Sequence, residues 1–318
     1  MDEIKVFTGN AHPTLAQAVA DYLGIPLGRC EVFEFSNENI FVRILENVRE
    51  RDAFVIQPLS TPVNKSLVEL LIMIDALKRA SAERITAVVP YYGYGRTDKK
   101  DQPRVPITAR LLADLLTVAG ANRLLTVDLH APQIQGFFNI PVDELTALYI
   151  LARYFEEKQL DGELVVVATD IGISKRARDL AAKLSAPLAI VEKRRVGNLD
   201  QTETLNIIGE VEGRIAITVD DEIDTAGSLV NVVSALEKRG VKAVYSCCTH
   251  PIFSGSALER IASSPVKEVV VTDTVPVTGD KRIDKVTVLP IAPLLGEAIH
   301  RIHTGLSIGA MFEQDRGE

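Results

Sequence analysis

The sequence predicts an α/β protein made of two similar units, each a mostly parallel sheet flanked by helices. Three observations carry this expectation. Short β-branched runs alternate with helical periodicity along almost the whole chain, the two halves echo one another, and 318 residues suit about two cores.

Taken in order, the runs 53–57, 85–90, 124–128, 164–169, 215–220, 241–249 and 268–272 read as strands buried on both faces. Between them, 67–79, 108–119, 175–184 and 228–239 carry apolar residues at three- and four-residue spacing, which predicts helices. Ala16, Ala20, Leu23, Pro26 and Leu27 return at a constant offset as Ala177, Ala181, Leu184, Pro187 and Leu188. Arg84-Ile85 and Arg214-Ile215 each open a strand. Strands ending at His130 and at His250 are each followed by Pro, Ile, an aromatic residue and Gly. The expected organisation is a domain at 1–147, a second at 148–290, and a C-terminal helix within 291–318 packing back on the first.

Hydrophobic residues at 47% and charged residues at 25% are the balance of a soluble globular protein. The nearest approach to a membrane span, 67–77, is too short and contains Glu69 and Asp75. The acidic start Met1-Asp2-Glu3 shows no signal peptide, and Cys30, Cys247 and Cys248 form no disulfide or zinc pattern. A cytoplasmic protein with reduced thiols is expected. A net charge of −8 counts against nucleic-acid binding, which needs a broad basic surface. Basic residues gather instead at 96–104 and 193–195, which points to a small polyanion.

The sharpest local signal is the run 215–228. A buried strand ends in Asp220 and Asp221, and Asp224-Thr225-Ala226-Gly227-Ser228 then opens a helix. Small residues let backbone N–H groups converge on a phosphate at the positive helix end, with Ser228 expected to cap the helix. Carboxylates at the strand's carboxyl end accept sugar hydroxyls or hold Mg²⁺, and they repel the phosphate itself. A ligand with hydroxyls at one end and phosphate at the other satisfies both. A sugar phosphate fits.

This run resembles the ribose-5-phosphate motif of the phosphoribosyltransferase fold. Further stretches are similar to ribose-phosphate pyrophosphokinases in particular: Phe35-Ser36-Asn37, 89–100, 126–138, Glu192-Lys193-Arg194-Arg195, 249–255 and 270–276. The resemblance implies transfer of the β,γ-pyrophosphoryl group of Mg-ATP to ribose 5-phosphate, giving AMP and a phosphoribosyl pyrophosphate that feeds nucleotide biosynthesis. It also implies two phosphoribosyltransferase-like domains. Asp220, Asp221, Asp224, Thr225, Ala226, Gly227 and Ser228 would bind ribose 5-phosphate. ATP would fall to Phe35, Asn37, Asn39, Arg96, Thr97, Asp98 and His130, with the adenine side supplied by a neighbouring subunit. His130 and Asp170 would contact Mg²⁺. Lys193 and Arg195 would act in catalysis from a mobile lid at 196–204, stabilising the transferring group. A homo-oligomer, commonly a hexamer, is implied, with phosphate or ADP as effectors near Arg49, Gln135, Asp143 and Ser307. A catalytically silent regulatory homologue and a transferase that consumes the product are the alternative readings.

The match has departures. Asn39 stands where the family usually has Glu, and Thr97 where it has Gln, so nucleotide preference stays open. Ile173 replaces a Gly in the pyrophosphate loop, where a β-branched residue would not readily take positive φ. Glu222 replaces an apolar residue, and Ala226 and Ser228 read as mild variants.

Overall fold

The computed structural model describes residues 3–195 and 203–312. The chain divides into two compact units. Unit 1 is Met1–Thr146, Thr274–Pro276 and Pro290–Glu318; unit 2 is Ala147–Asp273 and Val277–Leu289.

Unit 1 opens with β1 (Ile4–Thr8), α1 (Pro13–Leu23), and the pair β2 (Cys30–Glu34) and β3 (Ile40–Ile44). It continues with β4 (Asp52–Ile56), α2 (Val63–Arg79), β5 (Arg84–Val89), α3 (Thr108–Ala119), β6 (Arg123–Val127) and β7 (Val142–Leu145). The main sheet is ordered β1-β4-β5-β6-β7 and is parallel throughout. β4 is buried at every residue because helices cover both faces of such a sheet. β2 and β3 form a separate antiparallel hairpin.

Unit 2 runs α4 (Leu148–Lys158), β8 (Leu164–Ala168), α5 (Ser174–Lys183), β9 (Leu188–Arg195) and β10 (Glu203–Ile208). β11 (Ile215–Ile223), α6 (Gly227–Lys238), β12 (Ala243–Pro251), α7 (Ala257–Ser263), β13 (Glu268–Thr272) and β14 (Val286–Leu289) follow, and α8 (Ala292–Thr304) belongs to unit 1. The sheet order is β10-β9-β8-β11-β12-β13-β14, with only β10 antiparallel to its neighbour. The mostly parallel, helix-flanked architecture expected of both halves is present.

The two element lists align without a gap. β1, α1, the β2–β3 hairpin, β4, α2, β5, α3, β6 and β7 answer to β8, α5, the β9–β10 hairpin, β11, α6, β12, α7, β13 and β14. The echo of Ala16 and Ala20 in Ala177 and Ala181 therefore joins true counterparts, and all four side chains are buried. The other two echoes do not. Arg84-Ile85 opens the third strand of its series and Arg214-Ile215 the second; His130 follows the fourth strand, whereas His250 lies in the third. Parallel strands share the same buried, β-branched character, so short matches between them slip by one strand.

Helix α8 lies against α1, as α4 lies against α5. At the start of β4, Asp52 anchors α8 electrostatically. Its buried carboxylate accepts from Arg84 Nε at 3.0 Å and stands 2.9 Å from Nδ1 of His303, while Arg84 also donates to the Ile302 carbonyl at 3.2 Å. Removing that carboxylate leaves two donors facing a buried gap. Because Arg84 is about a third exposed, the expected loss for Asp52→Ala is at the lower end of the buried range, about 2–3 kcal/mol. A fall in the urea midpoint at unchanged slope would register it.

Candidate active site

Unit 2 places its acidic residues at the carboxyl end of β11, the edge where open α/β sheets bind ligands. Asp220 accepts from the Thr169 hydroxyl at 2.7 Å, and its Oδ1 accepts the Asp221 N–H at 2.9 Å. Asp221 is buried. Burial, then the hydrogen bond and charge of Asp221, and the charge of Asp170 push the Asp220 carboxyl up to about 8. Three carboxylates thus crowd one strand edge, enough to hold a proton on one of them near neutral pH. Asp224 is fixed further along, its Oδ1 accepting from the Ser254 hydroxyl.

Helix α6 begins at Gly227, and its N-cap is Ala226 at φ +60°, with no side-chain cap. Ser228 lies inside the first turn, so its expected capping role is a correction. A side-chain cap would consume N–H donors, and leaving them uncapped keeps the helix start available to an anion. Ala226 is more than a mild variant. An alanine in the left-handed region costs roughly 1–2 kcal/mol that a glycine does not.

The loop after β8 answers the question raised by Ile173. Its φ is −87°, so no glycine was required there. Gly172 is the constrained position: a Cβ would stand 3.1 Å from Asp170 Oδ1, because that carboxylate curls back to accept the Ile173 N–H at 3.1 Å. Asp170 therefore supports the start of α5 at the same time as its charge reaches Asp220.

Unit 1 brings Arg96 and His130 to one place. The loop after β5 passes so close to the end of β6 that a Cβ on Gly95 would lie 3.5 Å from His130 Cβ. Both Arg96 and His130 are exposed. Asp98 is buried and accepts from Gln133 Nε2 at 3.0 Å, which ties this loop to the 3-10 turn Pro132–Phe137. The Thr97 hydroxyl donates to Tyr94 O at 2.8 Å. On the β2–β3 hairpin, Phe35 is 48% exposed and stands edge-on to Phe33 at 5.1 Å. Asn37 Oδ1 accepts the Asn39 N–H at 3.2 Å, and the Phe35 N–H meets Asn39 O at 2.8 Å, so both asparagines help to build the hairpin tip.

Among the expected effector residues, Asp143 is ion-paired with Arg123 and Gln135 donates to Glu144. The Ser307 carbonyl accepts from Arg301 at 2.9 Å, and Arg49 is exposed. Lys193 and Arg195 lie on β9, with backbones in register with Leu205 and Glu203 of β10; their side chains lie outside the described residues. The lid expected at 196–204 lies outside them up to 202, and 203–204 belong to β10. Cys247 and Cys248 are buried, and burial raises both thiols, Cys247 to about 12.

Among the described residues, no three His, Cys, Asp or Glu side chains form a ready metal cage. Thr169 and Ser254, which hold Asp220 and Asp224, were not singled out from sequence. A hydroxyl's partner on a neighbouring strand depends on register, which no local pattern shows.

The parallel sheet with carboxylates beside an uncapped helix start defines an α/β enzyme of the phosphoribosyltransferase fold. Residues 4–120 match the model of the N-terminal domain of ribose phosphate pyrophosphokinase, and 197–313 match the phosphoribosyl synthetase-associated domain. The ribose-phosphate pyrophosphokinase of Caldanaerobacter subterraneus is 55% identical over 98% of each chain, and that of Bacillus caldolyticus 51% over 98% of each. The crystal structure of phosphoribosylpyrophosphate synthetase from Mycobacterium smegmatis aligns with a TM-score of 0.91 and 44% identity, covering 96% of this chain and 100% of that one. The chain belongs to the ribose-phosphate pyrophosphokinase family.

The raised Asp220 pKa has a sign that can be measured. Between its ordinary value of 3.8 and about 8, the folded chain keeps a proton that the unfolded chain has released, so stability falls as pH rises through that window. Asp220→Asn is expected to raise Tm by a few degrees at pH 8 and to change it little at pH 4. Differential scanning calorimetry without ligand at the two pH values tests this; equal shifts would contradict the assignment.

Proposed function

We propose that the enzyme transfers the β,γ-pyrophosphoryl group of Mg-ATP to the anomeric hydroxyl of ribose 5-phosphate. The observation that carries this reading is the junction of β11 and α6, where carboxylates suited to hydroxyls adjoin uncapped N–H donors suited to phosphate. The 5-phosphate takes the N–H groups of 225–228. Asp220 and Asp221 orient the ribose hydroxyls, and Asp224 closes the turn through Ser254. Arg96 and His130 receive the ATP phosphates, with Thr97 and the buried Asp98 shaping their loop. The exposed ring of Phe35, with Asn37 and Asn39 at the same tip, offers a stacking face and amide edges to adenine across a subunit boundary.

The chemistry needs no protein nucleophile. A bond forms between the anomeric oxygen and the β-phosphorus, and the bond from the β-phosphorus to the bridging oxygen of the α-phosphate breaks. The electron pair stays on that oxygen, AMP departs, and the hydroxyl proton leaves to solvent. Lys193 and Arg195 stabilise the charge that spreads over the transferring group. Asp170 with the Asp220–Asp221 pair in unit 2, and separately His130 in unit 1, would contact Mg²⁺, which neutralises triphosphate charge when bound. Burial, and then the neighbouring carboxylates, raise Asp220; a cation at this edge would favour its charged form, which supports this reading. An adenine contact given by a neighbour requires a homo-oligomer, for which the family resemblance implies a hexamer, and an isolated subunit would be inactive. Phosphate and ADP are the proposed effectors near Arg49, Gln135, Asp143 and Ser307.

Incubation with ribose 5-phosphate, ATP and Mg²⁺ is expected to give equal amounts of AMP and the phosphoribosyl pyrophosphate. A protein that binds both substrates yet releases no AMP would be the silent homologue instead. Lys193→Ala is expected to lower kcat by roughly several hundred-fold, from losing about 3–4 kcal/mol of transition-state stabilisation. Near wild-type turnover would remove Lys193 from the mechanism. Comparing GTP and CTP with ATP reports on Asn39 and Thr97.

A further inference from the structure

The connection after β12 grips the turn at 223–225 from outside. Ile252 and Phe253 donate their N–H groups to Ile223 O at 3.0 and 3.1 Å, and Ser254 donates its own to Asp224 O at 3.0 Å. One helical turn further on, Arg260 Nη1 donates to the Thr225 carbonyl at 2.8 Å. A Cβ built on Gly227 would lie 3.7 Å from the same Nη1, so the guanidinium runs along the side of the turn where α6 begins. That bond takes one of its five N–H donors, and the side chain is exposed.

Two properties of the turn call for such a brace. Ala226 holds φ at +60°, a conformation that alanine leaves when the surroundings allow it. The seat for a phosphate also follows Asp221 and Asp224 in the same turn, and carboxylates there oppose an anion. A cation fastened to the carbonyl just before Ala226 meets both needs. It restrains the strained residue and sets positive charge beside the N–H groups.

We propose that Arg260 is a positioning residue of the 5-phosphate seat, holding the 224–228 turn in its binding shape through the Thr225 carbonyl and offsetting the neighbouring carboxylates. This rests on the reading of 225–228 as that seat. Arg260→Ala is expected to raise the KM for ribose 5-phosphate about tenfold, leaving kcat and the KM for ATP within about twofold. Guanidinium ion added at low concentration should restore part of the loss. Ala226→Gly in the Arg260→Ala background should do so too, because glycine needs no brace at this φ. Arg260→Lys, which keeps the charge, should fall between wild type and Arg260→Ala, and it serves if the alanine variant does not fold. A KM for ribose 5-phosphate within about twofold of wild type, or equal rises for both substrates, overturns the proposal. Ser228→Asp is the control, placing a carboxylate in the seat. If it leaves the KM for ribose 5-phosphate unchanged, the seat reading itself has failed, whatever Arg260 does.

Discussion

The constraint on which the site depends is electrostatic. In the proposed site, carboxylates suited to sugar hydroxyls stand beside uncapped N–H donors suited to a phosphate, and carboxylate and phosphate repel. The fold resolves this by separation along one strand end and one helix start. Asp220 and Asp221 occupy the strand, fixed by Thr169 and by each other, while the N–H groups of α6 lie beyond the turn. Burial first, and then the neighbouring Asp221 and Asp170, hold the Asp220 carboxyl above the ordinary carboxylate range.

Among the described residues, the duplicated architecture bears on why the proposed seat lies in unit 2 and not at its counterpart in unit 1. In unit 1 the counterpart of the 220–228 turn is the segment from Gln57 to the start of α2. Pro58 and Pro62 have no N–H, and the N–H groups of Gln57 and Leu59 are spent on Val88 O and Tyr91 O. The chain's own Glu69 carboxylate fills the neighbouring space, accepting from Asn10 N at 3.0 Å, Asn10 Nδ2 at 2.9 Å and Gln57 Nε2 at 2.9 Å. Asn10 follows β1 as Asp170 and Ile171 follow β8. The chain's own carboxylate therefore occupies the corner that answers to the proposed ligand corner of unit 2. With that edge closed, unit 1 exposes instead the later loops bearing Arg96 and His130.

Glycine and its replacements illustrate how local rules mislead at functional loops. Ile173 looked awkward in a loop where the family has glycine, yet its backbone is ordinary. Ala226 looked harmless and is the residue under strain. Which position of a loop takes positive φ depends on how the following helix is entered, and the composition of the loop does not state it.

The order of buried strands and helices, the helical echo of Ala16 and Ala20 in Ala177 and Ala181, and the acidic-then-small run at 215–228 were all legible in the chain. Each is a local pattern, set by burial on both strand faces or by the needs of a single turn. Family resemblance named the remaining site residues, because His130 and Phe35 carry no local signal that separates them from ordinary side chains and the basic run at 96–104 does not single out Arg96. Tertiary structure alone decided strand register, and with it which hydroxyl meets which carboxylate: Thr169 with Asp220 and Ser254 with Asp224. It also decided that Glu69 closes one unit and that Arg260 reaches Thr225 across 35 residues. Those contacts join residues far apart in sequence through a shared sheet edge, and local propensity does not specify that edge.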